Sequence, residues 1–335
     1  MGMQVIRVHQ TGGPEVLTLE QIPLPFPGPG EVRVRAQAVG VGRPDVLIRQ
    51  GTYKWMPPLP AIPGAELAGE VDAVGEGVNS LQLGQRVLVS ARDLAQRGGC
   101  YVQSIIVPEG APYPLPESIS FDDAVSLPNL QLAIALMQSA SPGSTPIPGT
   151  VLITGAAGGV ATMLSQVARY HGFKTIGTAR TLEKRKFALS LGFDEIIDAN
   201  PLTLVEEVMS VTNYQGVNLV YDHLGGAIFP ACIRSLAPLG LAISYNIITG
   251  KPDVDVFGLL RELLGKSLGV RCFSMHTFDE DKNNRRNLML SAIDLMSKGH
   301  IKAPPSVVMD FSQVPQAHKI LDQGLTLGKI VLKPH

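Results

Sequence analysis

The sequence predicts an α/β protein in which a β-rich domain is combined with a doubly wound parallel sheet. Short alternating segments that end in Gly or Pro turns dominate the first part of the chain. Further along, strand-like segments start roughly every 20 to 28 residues, with helical patterns between most of them, which is the spacing of βαβ units. This change of rhythm near residue 124 predicts a domain boundary there.

The first part of the chain has the period of two that is typical of half-buried strands. In EVRVRAQAVG, Val32, Val34 and Ala36 alternate with Arg33 and Arg35, so the apolar side chains share one face. The segments VLTLEQIPLPFPGPG, LAGEVDAVGEG and GQRVLVS have the same character. We predict a partly barrel-like β domain over residues 1–124. The C-terminal residues 279–335, with two helices and short strands, are predicted to fold back onto it.

Six strand-like segments follow residue 124 and predict a six-stranded parallel sheet over residues 125–278. They are TVLIT, TIGTA, EIID, VNLVYD, LAISY and LGVRCF. A doubly wound sheet binds its ligand outside the carboxyl ends of the strands, at the point where the strand order reverses. The turn after the first of these strands is therefore the first candidate for a ligand site.

A glycine-rich turn follows that strand in VLITGAAGGVATMLSQVARYHG. Gly155, Gly158 and Gly159 permit close approach of a ligand to the backbone, and Val160 opens a helical pattern whose N-terminus offers free N–H groups to an anion. On the first strand of a doubly wound sheet this predicts a dinucleotide phosphate site, and a bare structural turn is the less favoured alternative. Ala161 replaces the last glycine of the usual pattern and is still small enough for close packing of helix on strand.

The second strand favours NADPH over NADH as the dinucleotide. NAD-binding folds usually end this strand with an acid that accepts from the ribose 2′-hydroxyl. Here the strand reads TIGTAR, without that acid, and Arg180 and Lys184 can bind a 2′-phosphate instead. Thr178, on the same strand, is a further candidate cofactor contact. The alternative interpretation of the two basic residues is a solvated start of a helix.

Composition and charge disfavour several other functions. The 28 Lys and Arg against 29 Asp and Glu leave a formal net charge of -1, which gives no electrostatic case for nucleic acid or an anionic membrane. Cys100, Cys232 and Cys272 are far apart and form neither a disulfide framework nor a zinc knuckle. MGMQVIRVHQTGG lacks the apolar core of a signal peptide. We expect a cytoplasmic protein that binds neither nucleic acid nor membranes.

Several motifs in a consistent order give the whole chain a family resemblance. They are GGPEVL near the start, GRPDVLIRQGTY from Gly42 to Tyr53, PGAELAGEVDAVGEGV, GQRV, AAGGV and the closing GKIVL. The chain resembles the medium-chain dehydrogenase/reductase superfamily and, within it, the zinc-free quinone oxidoreductases related to zeta-crystallin. The resemblance implies a GroES-like catalytic domain (1–124 and 279–335), a Rossmann NADPH-binding domain (125–278) and an active site in the cleft between them.

An exposed strand edge and the same resemblance predict a homodimer. The segment LGVRCFSM, from Leu268 to Met275, is the sixth and edge strand of the predicted sheet, and it has no proline or inward charge to protect that edge. Relatives in this superfamily commonly pair this strand across a twofold axis. We therefore expect Arg271 and Cys272 to lie close to a dimer interface.

The residues at which zinc-dependent members of the superfamily bind metal are changed in this chain. Those enzymes use a GHE segment in which His is a ligand, whereas this chain has Gly64, Ala65 and Glu66, and no Cys lies between Gly40 and Asp45. A catalytic zinc needs three protein ligands and an open position. We expect no metal site. The favoured chemistry is then hydride addition from NADPH to a quinone or an α,β-unsaturated carbonyl.

Such a reduction needs a proton as well as a hydride. Tyr53, in QGTY, matches a tyrosine at the substrate cleft of related quinone and enoyl reductases and is the candidate catalytic proton donor. A quinone can also take its proton from water, so Tyr53 is expected to matter mainly for enones. A packed or surface tyrosine is the alternative. His223, Tyr245 and Asn246 follow predicted strands and are candidate contacts to the nicotinamide ribose, or else ordinary strand-end residues.

Two departures from the family pattern concern the nicotinamide end of the site. The resemblance implies Asn in a GVNRPD-like segment where this chain has Gly42, and a hydroxyl residue in a GLT segment where it has Leu132. They leave open whether activity is reduced or the pocket is reshaped. Two alternative functions therefore remain beside the quinone reductase, namely a 2-enoyl thioester or alkenal reductase and a nucleotide-binding protein with little catalytic activity.

Overall fold

The computed structural model describes residues 2–141 and 147–334. The strands are β1 (Gly2–Val8), β2 (Leu17–Pro23), β3 (Glu31–Val41), β4 (Glu66–Val74), β5 (Arg86–Ser90), β6 (Ser104–Pro108), β7 (Tyr113–Pro114), β8 (Thr150–Ile153), β9 (Lys174–Thr178), β10 (Glu195–Ile197), β11 (Val217–Asp222), β12 (Leu236–Ser244), β13 (Gly269–Cys272), β14 (Ser306–Asp310) and β15 (Lys329–Lys333).

The helices are α1 (Arg43–Gln50), α2 (Phe121–Ala124), α3 (Leu127–Ala140), α4 (Gly159–Tyr170), α5 (Leu182–Ser190), α6 (Leu204–Val211), α7 (Ile228–Arg234), α8 (Val256–Glu262), α9 (Lys282–Ser297) and α10 (Val314–Asp322). Short 3-10 helices lie at Pro14–Val16, Ala91–Asp93, Leu264–Lys266, Met275–Phe278 and Phe311–Gln313. Within the described ranges, no helix combines the length and the apolar character that crossing a bilayer requires.

The chain forms two compact units, Met1–Pro128 with Ala303–His335, and Asn129–Lys302. The sequence predicts boundaries at 124 and 279, so the main difference is the segment 279–302, which lies in the second unit. A buried hydrogen bond explains this placement, because Gln131 Nε2 on α3 donates to the backbone carbonyl of Arg285 on α9 at 2.8 Å. A change of rhythm along the sequence carries no information about such a long-range contact.

The first unit is built on a mostly antiparallel sheet in the order β14-β15-β3-β4-β5-β7, with β6 also paired to β3, and on the β1–β2 hairpin. In β3, Val32, Val34 and Ala36 are buried, in agreement with the predicted alternation. Between them, Arg33 Nε donates to Asp72 Oδ1 of β4 at 2.7 Å. The buried face of β3 joins a core that includes side chains of β1, β5 and the C-terminal β15.

The second unit contains the predicted parallel sheet of six strands. Their order is β10-β9-β8-β11-β12-β13, and every neighbouring pair is parallel. Counted within the sheet this is the order 3-2-1-4-5-6 of a doubly wound dinucleotide-binding fold. The order reverses between β8 and β11, so the turn after β8 lies where such folds bind their ligand. The last strand, β13, forms one edge of the sheet, which confirms its predicted place.

Candidate functional site

The glycine-rich turn lies directly after β8 and is held by the neighbouring strand. Gly155 adopts φ +63, the left-handed region that favours glycine. Its N–H donates to Thr178 Oγ1 at 3.1 Å, and Ala156 N donates to the Thr178 carbonyl at 2.9 Å. The turn closes with Gly158 N donating to Gly155 O at 2.9 Å. The buried Thr178 therefore positions the turn from the end of β9.

The N-terminus of α4 presents backbone N–H groups after this turn. Gly158 is the N-cap and has no side chain that could accept from them. The first hydrogen bond within the helix runs from Thr162 N to Gly158 O at 3.0 Å, so the N–H groups of Gly159 and Val160 precede it. Ala161 is buried and small, as close packing of α4 requires. This end of α4 has the donors and the dipole that bind a phosphate.

A buried carboxylate, which no sequence motif marks, supports the end of β8 next to the glycine-rich turn. Asp222 Oδ1 accepts from Thr154 Oγ1 at 2.7 Å, and Oδ2 accepts from Gly225 N at 2.8 Å. Thr154 Oγ1 in turn accepts from His223 N at 3.2 Å. Burial raises the pKa of Asp222, although these hydrogen bonds oppose the rise. The network ties the end of β8 to the loop after β11.

Two of the predicted ribose contacts, His223 and Tyr245, meet beside the glycine turn, and the third, Asn246, does not. The Nδ1 atom of His223 lies 3.4 Å from Tyr245 Oη, and their ring centroids are 5.7 Å apart. A Cβ atom added to Gly155 would lie 2.3 Å from His223 Cε1, so the imidazole packs directly on this glycine. Burial lowers the pKa of His223 to about 4 and raises the pKa of Tyr245, so both side chains are neutral near pH 7. Asn246 is exposed, and its Oδ1 accepts from Ile247 N at 2.8 Å.

The basic residues after β9 have different surroundings. Arg180 is exposed, and Thr181 next to it caps α5 by accepting from Lys184 N at 3.3 Å. Arg185, the third basic residue here, is engaged within the unit. Its Nε donates to Ala179 O at 3.1 Å, and its Nη2 lies 3.3 Å from Asp198 Oδ1. Of these basic residues Arg180 is exposed, whereas Lys184 and Arg185 are half-buried.

Tyr53 belongs to the first unit and follows α1. Gly51, with φ +73, ends that helix. Tyr53 is half-buried, and its ring meets Trp55 edge to face with the centroids 5.7 Å apart. Lys54 Nζ lies 5.2 Å from the Trp55 ring centroid, within the range of a cation–π contact. A tyrosine so held has a defined direction, which a proton donor requires.

A second polar cluster, also in the first unit, surrounds Gly42 and the Gly64-Ala65-Glu66 segment. Gly42 is the N-cap of α1, and its N–H donates to Asp45 Oδ2 at 2.8 Å. Gly64 N donates to Asp45 Oδ1 at 3.1 Å, and Glu66 forms a buried ion pair with Lys329. No sequence motif predicts that these residues come together. An acid three residues after the helix cap is the one local signal for it.

Possible metal ligands were compared across the part of the chain that the structure describes. Across residues 2–141 and 147–334, no three His, Cys, Asp or Glu side chains are grouped so that they could hold a metal ion.

Two protein families match parts of this chain. The family described as "Alcohol dehydrogenase GroES-like domain" matches residues 28–117, and the family described as "Zinc-binding dehydrogenase" matches residues 191–332. The quinone oxidoreductase of Mus musculus is 33% identical over 336 residues, which cover 98% of this chain and 97% of that protein.

Two solved structures agree with this result over the full chain. The quinone oxidoreductase of Pseudomonas syringae has a TM-score of 0.85 and 28% identity, and the match covers 99% of this chain and 100% of the other. A mycobacterial protein complexed with NADPH has a TM-score of 0.86 and 28% identity over the same shares of the two chains.

The close contact between Gly155 and His223 generates a first prediction. Gly155→Ala forces an L residue to positive φ, at about 1–2 kcal/mol, and displaces the imidazole, at a further ~1–3 kcal/mol. Calorimetric unfolding measures the loss. The matched control is Gly299→Ala, with φ +72 and no atom of the described chain within 4 Å of the new Cβ, which should lose only the stability that the backbone strain costs. Two results would contradict the contact between Gly155 and His223. One is an equal loss of stability in the two variants, and the other is no recovery of stability in Gly155→Ala/His223→Ala.

Proposed function

Because this chain belongs to the quinone oxidoreductase-like family of the medium-chain dehydrogenase/reductase superfamily, we propose that it is an NADPH-dependent reductase of quinones or related conjugated carbonyls. Membership of the family supports the coarser statement, a nicotinamide-dependent oxidoreductase. The choice of NADPH, the electrophile and the independence from metal are our proposals. Each rests on particular residues of this chain.

The observation that carries the proposal is the phosphate cradle after β8. Gly155, Gly158 and the free N–H groups of α4 form a turn that Thr178 and the Thr154–Asp222 network hold in place. The cradle suits the pyrophosphate of a dinucleotide, since the N-terminus of α4 offers N–H donors that no cap side chain accepts. NADPH bound there would supply the hydride. His223 and Tyr245, which lie beside the cradle, would contact the adjacent ribose.

We base the preference for NADPH on the charge after β9. Arg180 is exposed there, with Lys184 in the first turn of the next helix. Guanidinium binds a 2′-phosphate in a bidentate manner, whereas a ribose 2′-hydroxyl is usually bound by an acid. This arrangement favours the phosphorylated cofactor.

We propose metal-independent chemistry because of the residues at the usual ligand positions. Ala65 stands where zinc-dependent members have a ligand His, and the neighbouring Glu66 carboxylate is neutralised by Lys329. A quinone or enone is already electrophilic and needs no Lewis acid to accept a hydride. The half-buried Tyr53 hydroxyl would donate the proton that an enone requires, while the hydroquinone anion formed from a quinone can take its proton from water.

We also propose that the protein forms a homodimer through β13. This strand is an edge of the six-stranded sheet, and Cys272 at its end is exposed. Nearby, Phe257 and Leu264 expose large apolar side chains. An unprotected edge strand beside apolar surface is suited to pairing with a second copy.

The function is tested by NADPH oxidation against a panel of quinones, enones and enoyl thioesters. We expect turnover with quinones that is unchanged by EDTA. Tyr53→Phe should slow enone reduction by tenfold or more, as general-acid loss does, and change quinone reduction little. Loss of turnover to EDTA with recovery on zinc would contradict metal independence. Tight NADPH binding without turnover of any electrophile would favour the non-catalytic alternative.

Cofactor choice is tested by thermal stability in the presence of each nucleotide. A ligand that binds only the folded state adds about 2.7 kcal/mol of stability at a hundredfold excess over Kd. NADPH should therefore raise Tm more than equimolar NADH does, and Arg180→Ala should narrow the difference. Arg169→Ala, which removes an arginine bonded to Gly192 O elsewhere in the unit, is the control and should leave the difference intact. Equal shifts with both nucleotides would exclude the assignment to Arg180.

Gly42→Asn restores the residue that the family pattern implies. It tests whether the absence of Asn affects the nicotinamide end of the site. The nearest atom to an added Cβ is Pro44 Cδ at 3.5 Å, and φ is -143, so the fold tolerates a side chain there. A regained hydrogen bond is worth roughly 1 kcal/mol, about fivefold in rate if it acts in the transition state. Gly42→Asn should thus raise kcat on a reactive quinone with little change in NADPH affinity. A lower kcat would mean that glycine makes room for a bulkier substrate.

A further inference from the structure

The buried carboxylate of Asp45 joins three separate segments of the first unit. Its side chain is fully buried and accepts three hydrogen bonds. Two come from the backbone N–H groups of Gly42 and Gly64, at 2.8 and 3.1 Å. The third comes from Tyr101 Oη at 3.2 Å. Asp45 therefore fixes the N-terminus of α1 against the segment that leads into β4.

The hydrogen-bonded chain continues from Tyr101 to α10. Tyr101 Oη also lies 3.0 Å from Nε2 of the fully buried His318. A tyrosine hydroxyl has one hydrogen, and when it is donated to Asp45 the oxygen has to accept from His318. His318 must then carry its proton on Nε2 and leave Nδ1 bare. Among the described residues Nδ1 has no hydrogen-bond partner.

Beyond Tyr101, two charged side chains influence His318, namely Arg49 and Asp322. Asp322 lies one turn further along α10, on the same helical face as His318. Its carboxylate is partly exposed, at 27%, and bonds Arg49 Nη2 at 2.8 Å. The Arg49 guanidinium is almost fully buried, and its Nε and Nη1 atoms have no partner within the described residues. Nδ1 of His318 and two nitrogens of Arg49 are therefore buried polar atoms without a partner among the described residues, and the Arg49–Asp322 ion pair connects this group to a partly exposed carboxylate.

We propose that Tyr101 and His318 form a proton relay between the Asp322 side of the first unit and Asp45, and that Asp45 is a positioning residue for Gly42 and Gly64. In one passage a proton that enters from the Asp322 side binds His318 Nδ1. The Nε2 proton passes to Tyr101 Oη, and the hydroxyl proton of Tyr101 passes to Asp45 Oδ2. One proton enters and one carboxylate is neutralised. His318 ends neutral, with its hydrogen moved from Nε2 to Nδ1.

The charges around the chain determine which group titrates. Burial and the nearby Glu66 raise the pKa of Asp45 from 3.8 to about 7, and the Gly42 N–H, Lys329 and Tyr101 oppose that rise.

The other groups of the chain keep their protonation state. Burial and the carboxylates of Asp45 and Glu66 raise the pKa of Tyr101 and of the neighbouring Cys100, so both stay protonated. Burial and the Arg49 charge lower the pKa of His318 to about 3, and the Asp322 charge opposes this. Of Asp45, Tyr101, Cys100 and His318, only Asp45 has a pKa near neutral pH.

The relay predicts a change of tautomer in a histidine that never becomes charged. Long-range proton–nitrogen NMR of protein labelled with 15N-histidine distinguishes the two ring nitrogens over about pH 5 to pH 8, and His318→Gln assigns the signal. We expect His318 to carry its proton on Nε2 at high pH and on Nδ1 at low pH, with a midpoint about 7 that follows Asp45. The readout involves no cofactor or turnover, so its failure is distinguishable from failure of the proposed function.

Two variants and a control make the test specific. Tyr101→Phe breaks the relay and should abolish the change of tautomer, and Asp45→Asn should hold one tautomer at every pH. Tyr113→Phe removes a hydroxyl from another buried tyrosine, which bonds Asp93 at 2.8 Å, and should leave the change intact. A single tautomer at all pH values in the unmodified protein would overturn the proposal, even if a variant failed to fold. A doubly protonated imidazole near pH 6, or an unaltered transition in Tyr101→Phe, would also overturn it.

Discussion

A buried carboxylate that accepts backbone N–H groups organises the loops of interest in each unit. Asp222 accepts from Gly225 and Leu224 after β11, and Asp45 accepts from Gly42 and Gly64 around α1. Burying such a group is unfavourable unless hydrogen bonds compensate for the lost water. For Asp45 the compensation is incomplete, because its pKa in the folded chain lies above the ordinary value. Its contribution to stability therefore falls as pH rises from about 4 to about 7.

The free-energy cost of burying these carboxylates without hydrogen bonds explains why the loops keep one geometry. Each carboxylate has its oxygens oriented by donors from different segments, so moving one segment leaves a buried charge without a partner. In the second unit this constraint fixes Thr154 and the start of the glycine turn. The N–H groups of α4 are then left for a ligand, because the cap residue Gly158 offers them no acceptor. Rigid supports and unsatisfied donors in the same turn are what a preorganised phosphate site requires.

Local sequence patterns were sufficient to predict the strands and the glycine turn. They were not sufficient to predict which side chains contact one another. The six parallel strands follow from apolar runs separated by helical patterns, and the glycine turn follows from its place after the first of them, since both signals are contained in short windows. The Tyr101 contacts to Asp45 and His318 join residues 56 and 217 positions apart, and no periodicity encodes them. Arg185 shows the same limit, because only the folded chain pairs it with Asp198 and leaves Arg180 exposed.

Gly40 and Gly42 lie close together in the sequence, but packing requires glycine only at Gly40. A Cβ on Gly40 would lie 2.5 Å from Glu66 Oε1 and 2.9 Å from Lys329 Cε, so the buried ion pair leaves no room for any other residue. A Cβ on Gly42 would make only ordinary contacts, and the backbone there suits any residue. Glycine also contributes no cap to α1, where Asn would accept a hydrogen bond. Packing and helix stability therefore do not account for Gly42. A lost nicotinamide contact and a pocket reshaped for a substrate are both compatible with this backbone, so the choice of glycine concerns function and not the stability of α1.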